Sequence, residues 1–477
     1  MVIILDSTLR EGELQPGVYF TSDNRIKIAR ALAEVGTQRI EFPIIYTSRG
    51  GKIEDVKTAI NEVQECYTNV TAVLHMRALK ADVELARAYD AKGCAIYMAP
   101  TALHRKNKFH GIDQQKVIDN FVSVLELIKD YGFSYRRATV EDASRFDLSS
   151  IKDEEDTLEF LGKLLRSIED AGATIVSIPD TSGILPQNRC IPFINIVKNL
   201  TNLPLACHFH NDYGNALGNA LQVLSIPRVQ EINVSILGLG ARNGITDHYE
   251  FVANAEDLYH INTGERRDKL RWLYDTFVQM TGIPIPMIHP LSSQCFMEKA
   301  GTHQSQVVKN PRGYIPVRKF ELDTSGEIHF EAGQYMSKQV IAKLFEDYNV
   351  TSELIVNVTN TIAAKSALQR REVSPWEVKD IIEDNSGISI SIEKINKIIK
   401  GSDYVYIMLT LVPQFPSNEL VQEVSRWKEV VRIDEVYGTV DIILLSRIKD
   451  FEGVNVVEKI RDKFKEILVK IVALPVE

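Results

Sequence analysis

The chain has 477 residues, room for two to four domains at roughly 100–200 residues each. Hydrophobic residues make up 44% and charged residues 25%, which excludes disorder as a description of the whole chain. With 55 basic and 64 acidic residues the net charge is −9, which argues against nucleic acid as a partner, because phosphate affinity needs clustered basic charge.

The chain opens MVIILDSTLREGE and meets charge at Asp6, so no signal peptide is expected. Short β-branched runs then alternate with amphipathic helical stretches. The predicted strands are Val2–Leu9, Thr37–Phe42, Val70–Arg77, Ala95–Ala99, Tyr135–Val140, Thr174–Ile178, Leu205–Phe209 and Glu231–Leu237. Predicted helices between them include Asn24–Val35, Ala81–Ala91, Gln115–Tyr131, Asp156–Ala171 and Ala216–Leu224. Eight βα units over residues 1–265 predict a (β/α)8 barrel, an α/β fold. A doubly wound open sheet is the alternative, weakened because no GxGxxG follows the first strand. Residues 266–400 read as a helical linker and lid rather than a tight domain, with turn signals at Gly282–Pro290 and Asn310–Tyr314 and helices over Ser337–Tyr348 and Ser374–Asp384. Residues 401–477 follow a βαββαβ order, a ferredoxin-like plait, with strands Val405–Val412, Val431–Val436, Val440–Ser446 and Val469–Leu474 and helices Glu419–Trp427 and Val454–Ile467. No run of about 18 apolar residues occurs, so no membrane span or membrane partner is expected. Five scattered cysteines without a CxxC spacing point to a cytoplasmic setting.

Polar residues gather where barrel strands end, which is where barrel active sites lie. The first strand ends in Asp6, Ser7, Thr8, Arg10 and Glu11. The third carries His75 and Arg77, the fifth Arg137, Thr139, Glu141 and Asp142, the sixth Asp180 and Thr181, and the seventh His208, His210 and Asp212. His208 and His210 are spaced i, i+2 on a strand and face one side, a metal-ligand spacing.

DSTLREG at Asp6–Gly12, HFHND at His208–Asp212 and GLGARNGIT at Gly238–Thr246 resemble the DRE-TIM metallolyases, a family that includes homocitrate, 2-isopropylmalate and citramalate synthases. HMRALKADVELA, RATVEDASR and PDTSG extend the resemblance in order along the barrel. The resemblance implies a Claisen condensation of acetyl-CoA, as co-substrate, with a 2-oxo acid, followed by thioester hydrolysis. It implies that Glu11, His208 and His210 ligate a divalent metal, and two imidazoles with one carboxylate suit Zn, Mn, Co or Mg without choosing between them. Arg10 would stabilise the developing alkoxide. Arg137 and Thr139 would hold the distal part of the 2-oxo acid and Thr181 its carboxylate, with His75, Arg77 and Glu141 as further substrate-binding positions. His303, in EKAGTH, matches a lid histidine that deprotonates acetyl-CoA from the partner subunit, and Tyr314, in NPRGY, a lid tyrosine. A homodimer or higher homo-oligomer is therefore expected.

REG rather than RDG, His75 before Arg77, the NGIT ending and the Arg137/Thr139 pair lean toward the homocitrate branch, with the 2-isopropylmalate and citramalate branches as alternatives. Leu14, Ala206, Ala241 and Glu298 depart from the family pattern. Those departures keep open a different class, a retired barrel with a sensing role, and a lyase running the reverse cleavage is a third reading. The plait resembles the amino-acid-sensing domain of leucine-responsive regulators. It would bind an amino-acid effector, most simply lysine, or serve only as an oligomerisation module.

Overall fold

The computed structural model describes the chain apart from residues 47–49, 148–152, 324–327, 401–403, 414–416, 437, 448–455 and 476–477. Contacts divide it into two compact units, Met1–Pro286 and Met287–Glu477.

In the first unit, strands β1 (Ile3–Asp6), β2 (Arg39–Pro43), β3 (Thr71–Arg77), β4 (Gly93–Met98), β5 (Tyr135–Val140), β6 (Ile175–Asp180), β7 (Leu205–Phe209) and β8 (Val229–Val234) pair in sequence order and close into a barrel. All pairs are parallel, and β1 closes on β8 with Ile3 opposite Glu231 and Asp6 opposite Val234. Closure rules out the open sheet. The connecting helices start where the sequence offers a side-chain acceptor: Thr21 caps Ser22–Val35, Asp113 caps Gln114–Asp130 and Thr157 caps Leu158–Asp170. The eighth strand stops at Val234, short of the predicted Leu237, because the backbone leaves the ladder. The Ile236 N–H donates to the Thr8 hydroxyl, and Leu237 turns at φ 58°. The helix Leu270–Thr281 belongs to this unit. Phe277 meets Phe20 edge-to-face, and the Tyr274 hydroxyl donates to Asp247 at 2.9 Å.

The barrel interior is layered. Leu5, Val73, Ala95, Tyr135, Ile175 and Ala206 form a buried apolar plug. Charged side chains from the same strands share the interior with it, which is unusual for a fold whose barrels are mostly filled by branched aliphatics.

In the second unit, β9 (Met297–Glu298) and β10 (His329–Phe330) pair in parallel. With helices Gly301–Lys309, Ser352–Gln369 and Pro375–Ser386 they surround an apolar core that includes Val307, Phe330, Val340, Ile362, Val378 and Ile399. The stretch read as linker and lid thus encloses buried apolar side chains of its own. Ser374 and Glu377 form a reciprocal capping box at the start of Pro375–Ser386. The plait follows: β11 (Tyr404–Leu411), β12 (Val430–Glu435), β13 (Ile442–Arg447) and β14 (Leu468–Pro475) form an antiparallel sheet in the order β12-β13-β11-β14. Helices Asn418–Val424 and Val456–Lys463 bury Leu420, Val424, Val456 and Ile460 against that sheet. Of the predicted helix Val454–Ile467, Val454 and Asn455 lie outside the described residues. Among the described residues no helix is long and apolar enough to cross a membrane.

One buried ion group ties the barrel's closing seam together. His248 is fully buried, its Nδ1 2.8 Å from Asp6 at the end of β1 and its Nε2 2.7 Å from Glu265. Thr37, just before β2, donates to the same Glu265 at 2.8 Å. Burial alone would disfavour the imidazolium, but Glu265 and Asp6 outweigh it and raise the His248 pKa to about 10. The folded pKa lies above the ordinary value of about 6.5, so this stabilisation is full below that pH and is lost as pH rises through about 10. His248→Gln should destabilise the protein by about 3–5 kcal/mol at pH 6, because two buried carboxylates lose their cation. The difference from wild type should shrink toward pH 10. Urea unfolding at both pH values checks this, and equal stability at pH 6 would contradict it.

Candidate active site

The turn after β1 aims the two central side chains. The Asp6 carboxylate accepts the Thr8 N–H at 2.8 Å, and the Ser7 carbonyl accepts the N–H groups of Arg10, Glu11 and Gly12 at 3.0, 2.7 and 3.3 Å. Arg10 and Glu11 are thereby held at the carboxyl end of the barrel. Glu11, His208 and His210 come together there, all buried, with one donor atom from each within 4.8 Å of the others. The two Nε2 atoms are 3.3 Å apart, and His210 Nε2 is 3.9 Å from Glu11 Oε1.

The protonation states suit a metal. Burial opposes a charged Glu11, but Arg10 and the two histidines bring its pKa down to about 2. Burial, then the neighbouring His210, lowers His208 to about 3, and burial lowers His210. One carboxylate and two neutral imidazoles at neutral pH are the ligand forms a divalent ion requires. Buried His210 Nδ1 has no hydrogen-bond partner among the described residues. The donor set therefore fits Zn, Mn, Co or Mg.

Sequence reasoning missed Glu41 on β2. Its buried carboxylate accepts from Ser7 Oγ at 2.8 Å, Arg10 Nε at 2.7 Å, His75 Nδ1 at 2.9 Å and one terminal nitrogen of Arg137. Burial pushes the Glu41 pKa up, but Arg10, His75 and Arg137 together hold it well below the usual carboxylate range. Burial and the Arg10 charge lower His75 to about 4, so its ring is neutral. Glu231 on β8, also missed, accepts from the other terminal nitrogen of Arg137 at 3.3 Å, from Tyr135 at 2.9 Å and from Arg39. Glu231 stands opposite Ala206, one of the departures, so a carboxylate occupies the neighbouring strand where position 206 has none.

A cavity of about 400 Å³ opens beside this network. Arg10, Glu11, His75, Arg137, Thr139, Glu141, Thr181, His208 and His210 all line it. Arg77 does not: Asp82, five residues on, takes its guanidinium in two bonds of 2.9 and 2.8 Å. The substrate-binding role expected for Arg77 therefore has no geometric support. Glu141 is paired through both oxygens with Lys108 Nζ at 2.8 Å, a partner the sequence did not announce. The Thr181 hydroxyl accepts the Asp142 N–H at 2.8 Å. The Gly238–Thr246 loop closes over Glu11. Ala241 N–H donates to Glu11 at 3.2 Å, and a Cβ on Gly240 would meet Glu11 Cγ at 3.1 Å. Gly244, at φ 75°, admits no side chain, since a Cβ would stand 1.8 Å from the Gly238 carbonyl oxygen. His303 and Tyr314 lie in the second unit and stack on each other, ring centroids 4.0 Å apart. There His303 Nδ1 is 3.5 Å from Glu298, another of the departures.

Fold and site together define a (β/α)8 barrel whose carboxyl end presents one carboxylate and two neutral imidazoles beside a paired arginine. The HMGL-like family description matches residues 1–276, and the chain belongs to that family. It is similar, at 29% identity over 473 residues, to a homocitrate synthase of Saccharolobus islandicus, covering 96% of this chain and 95% of that protein. A homocitrate synthase of Sulfurisphaera tokodaii aligns at 29% over 469 residues with the same coverage of both. Among solved structures, an HMG-CoA lyase from Bacillus subtilis superposes with a TM-score of 0.51 at 19% identity, covering 60% of this chain and 95% of that one, which bears on the fold alone.

After dialysis against Mn or Zn, the wild type should hold about one divalent ion per chain, and His208→Ala and His210→Ala almost none. Elemental analysis of the dialysed proteins checks this. Variants that keep the ion would contradict the ligand set.

Proposed function

We propose that this protein is an acyltransferase that condenses acetyl-CoA with 2-oxoglutarate, a homocitrate synthase in the aminoadipate route to lysine. The observation that carries the reading is the Arg10–Glu11–His208–His210 constellation on a chain similar to homocitrate synthases over nearly its whole length. A divalent ion held by Glu11, His208 and His210 would supply Lewis-acid polarisation of the 2-oxo group. The protein's own residues do the rest. The acetyl-CoA methyl group loses a proton to the His303 that a second copy of the chain would bring to the site, and its carbon forms a bond to the ketone carbon. The ketone oxygen becomes an alkoxide, stabilised by the Arg10 guanidinium, and takes up a proton. Water then cleaves the thioester and free CoA leaves. Thr181 receives the proximal carboxylate, and Arg137 and Thr139 the distal end. Glu41 keeps Arg10 and Arg137 charged and oriented, so that donation to the alkoxide needs no reorganisation. Tyr314 stacks on His303 and fixes the plane of its ring.

The same proposal assigns residues 1–265 to catalysis, 266–400 to linker and lid, and 401–477 to a plait that binds lysine as effector. It takes the protein to be cytoplasmic and a homodimer or higher homo-oligomer, and light scattering tests the oligomeric state.

The decisive assay is thiol release from acetyl-CoA with 2-oxoglutarate, 2-oxoisovalerate and pyruvate side by side. Turnover should be at least about tenfold more efficient with 2-oxoglutarate, the discrimination expected when a buried polar site meets an apolar tail. Preference for 2-oxoisovalerate would move the protein to the 2-isopropylmalate branch, and thiol release with none of the three would overturn the enzyme reading. In the same assay lysine should inhibit, and leucine and isoleucine should not. Insensitivity to lysine would contradict the effector.

A further inference from the structure

We infer that Ser177 selects the distal carboxylate of the 2-oxo acid. The inference rests on the reading that the cavity receives such an acid. Ser177 lies on β6, in register with Thr139 on β5 and Ala206 on β7. Adjacent strands run about 4.8 Å apart, so the two hydroxyl residues are immediate neighbours. Arg137 precedes Thr139 by two positions and faces the same side of β5. All three are buried and line the cavity.

Ser177 Oγ, Thr139 Oγ1 and Arg137 Nε have no hydrogen-bond partner among the described residues. A single orphaned polar atom in a core is tolerable, but neighbouring ones on a cavity wall need a reason. The guanidinium Nε can only donate, and each hydroxyl can donate, so the group that satisfies all three is an acceptor. A carboxylate has two oxygens and about four lone-pair sites, enough for all of them. A branched hydrocarbon tail would leave every one of these donors unpaired. A serine that merely fills space makes the opposite prediction, because its loss would not distinguish one acid from another.

The test compares Ser177→Ala with the wild type in KM and kcat for 2-oxoglutarate and 2-oxoisovalerate, and in Tm. The KM for 2-oxoglutarate should rise about tenfold, the size of one lost charge-assisted hydrogen bond, with kcat little changed. The KM for 2-oxoisovalerate should stay or fall. Tm should not fall, because the variant removes a hydroxyl that has no partner in the free protein. No change, or equal changes for both acids, would overturn the role of Ser177 and leave the condensation reading in place. A wild type that turns over 2-oxoisovalerate and not 2-oxoglutarate would overturn that reading, and this inference with it.

Discussion

The Glu41 carboxylate holds the active site in shape. It lies inside the barrel and is reached by two guanidiniums, an imidazole and a hydroxyl, from the turn after β1, from β3 and from β5. Each of those groups would be costly to bury alone. Arg137 has the further support of Glu231. The result is a set of fixed charges that need not move when a substrate charge develops, which is where preorganised sites gain most.

The layering of the barrel follows from this. Leu5, Val73, Ala95, Tyr135, Ile175 and Ala206 pack as a buried layer across the interior. Polar side chains on the same strands make the cavity wall. At the seam between β1 and the end of the barrel, the Asp6–His248–Glu265 group fixes the strand whose next residues carry Arg10 and Glu11. Asp6 joins the two features: it binds His248 with one oxygen and with the other starts the turn that carries Arg10 and Glu11.

The alternation of strands and helices was legible because barrel strands are short apolar runs with turn signals between them. The plait's four strands fell within two residues of their predicted ends for the same reason. Glu11, His208 and His210 were legible through the resemblance of DSTLREG and HFHND to the DRE-TIM metallolyases, since an HxH pair on a strand is by itself a weak signal. Glu41, Arg39 and Glu231 were not. A charged residue inside a strand reads as a solvent-facing position, and nothing local reveals that β2 and β8 face it into a closed barrel. Their ion-pair partners lie 31 to 192 residues away. Nothing local marks His248 either, since Asp6 and Glu265 flank it only after the barrel closes. Arg77 misled for the opposite reason. Its position on β3 promised the cavity, but the nearby Asp82 captured it.

The account stands or falls on Glu41 orienting Arg10 and Arg137 without itself binding a metal. The most direct measurement is thiol release by Glu41→Gln with saturating 2-oxoglutarate and acetyl-CoA, alongside its divalent-ion content. The glutamine keeps the shape and removes the charge. The account predicts a fall in kcat of about 10²-fold or more, the scale of losing a preorganised donor, with ion content unchanged. A kcat within about twofold of wild type, with the ion still bound, would contradict it.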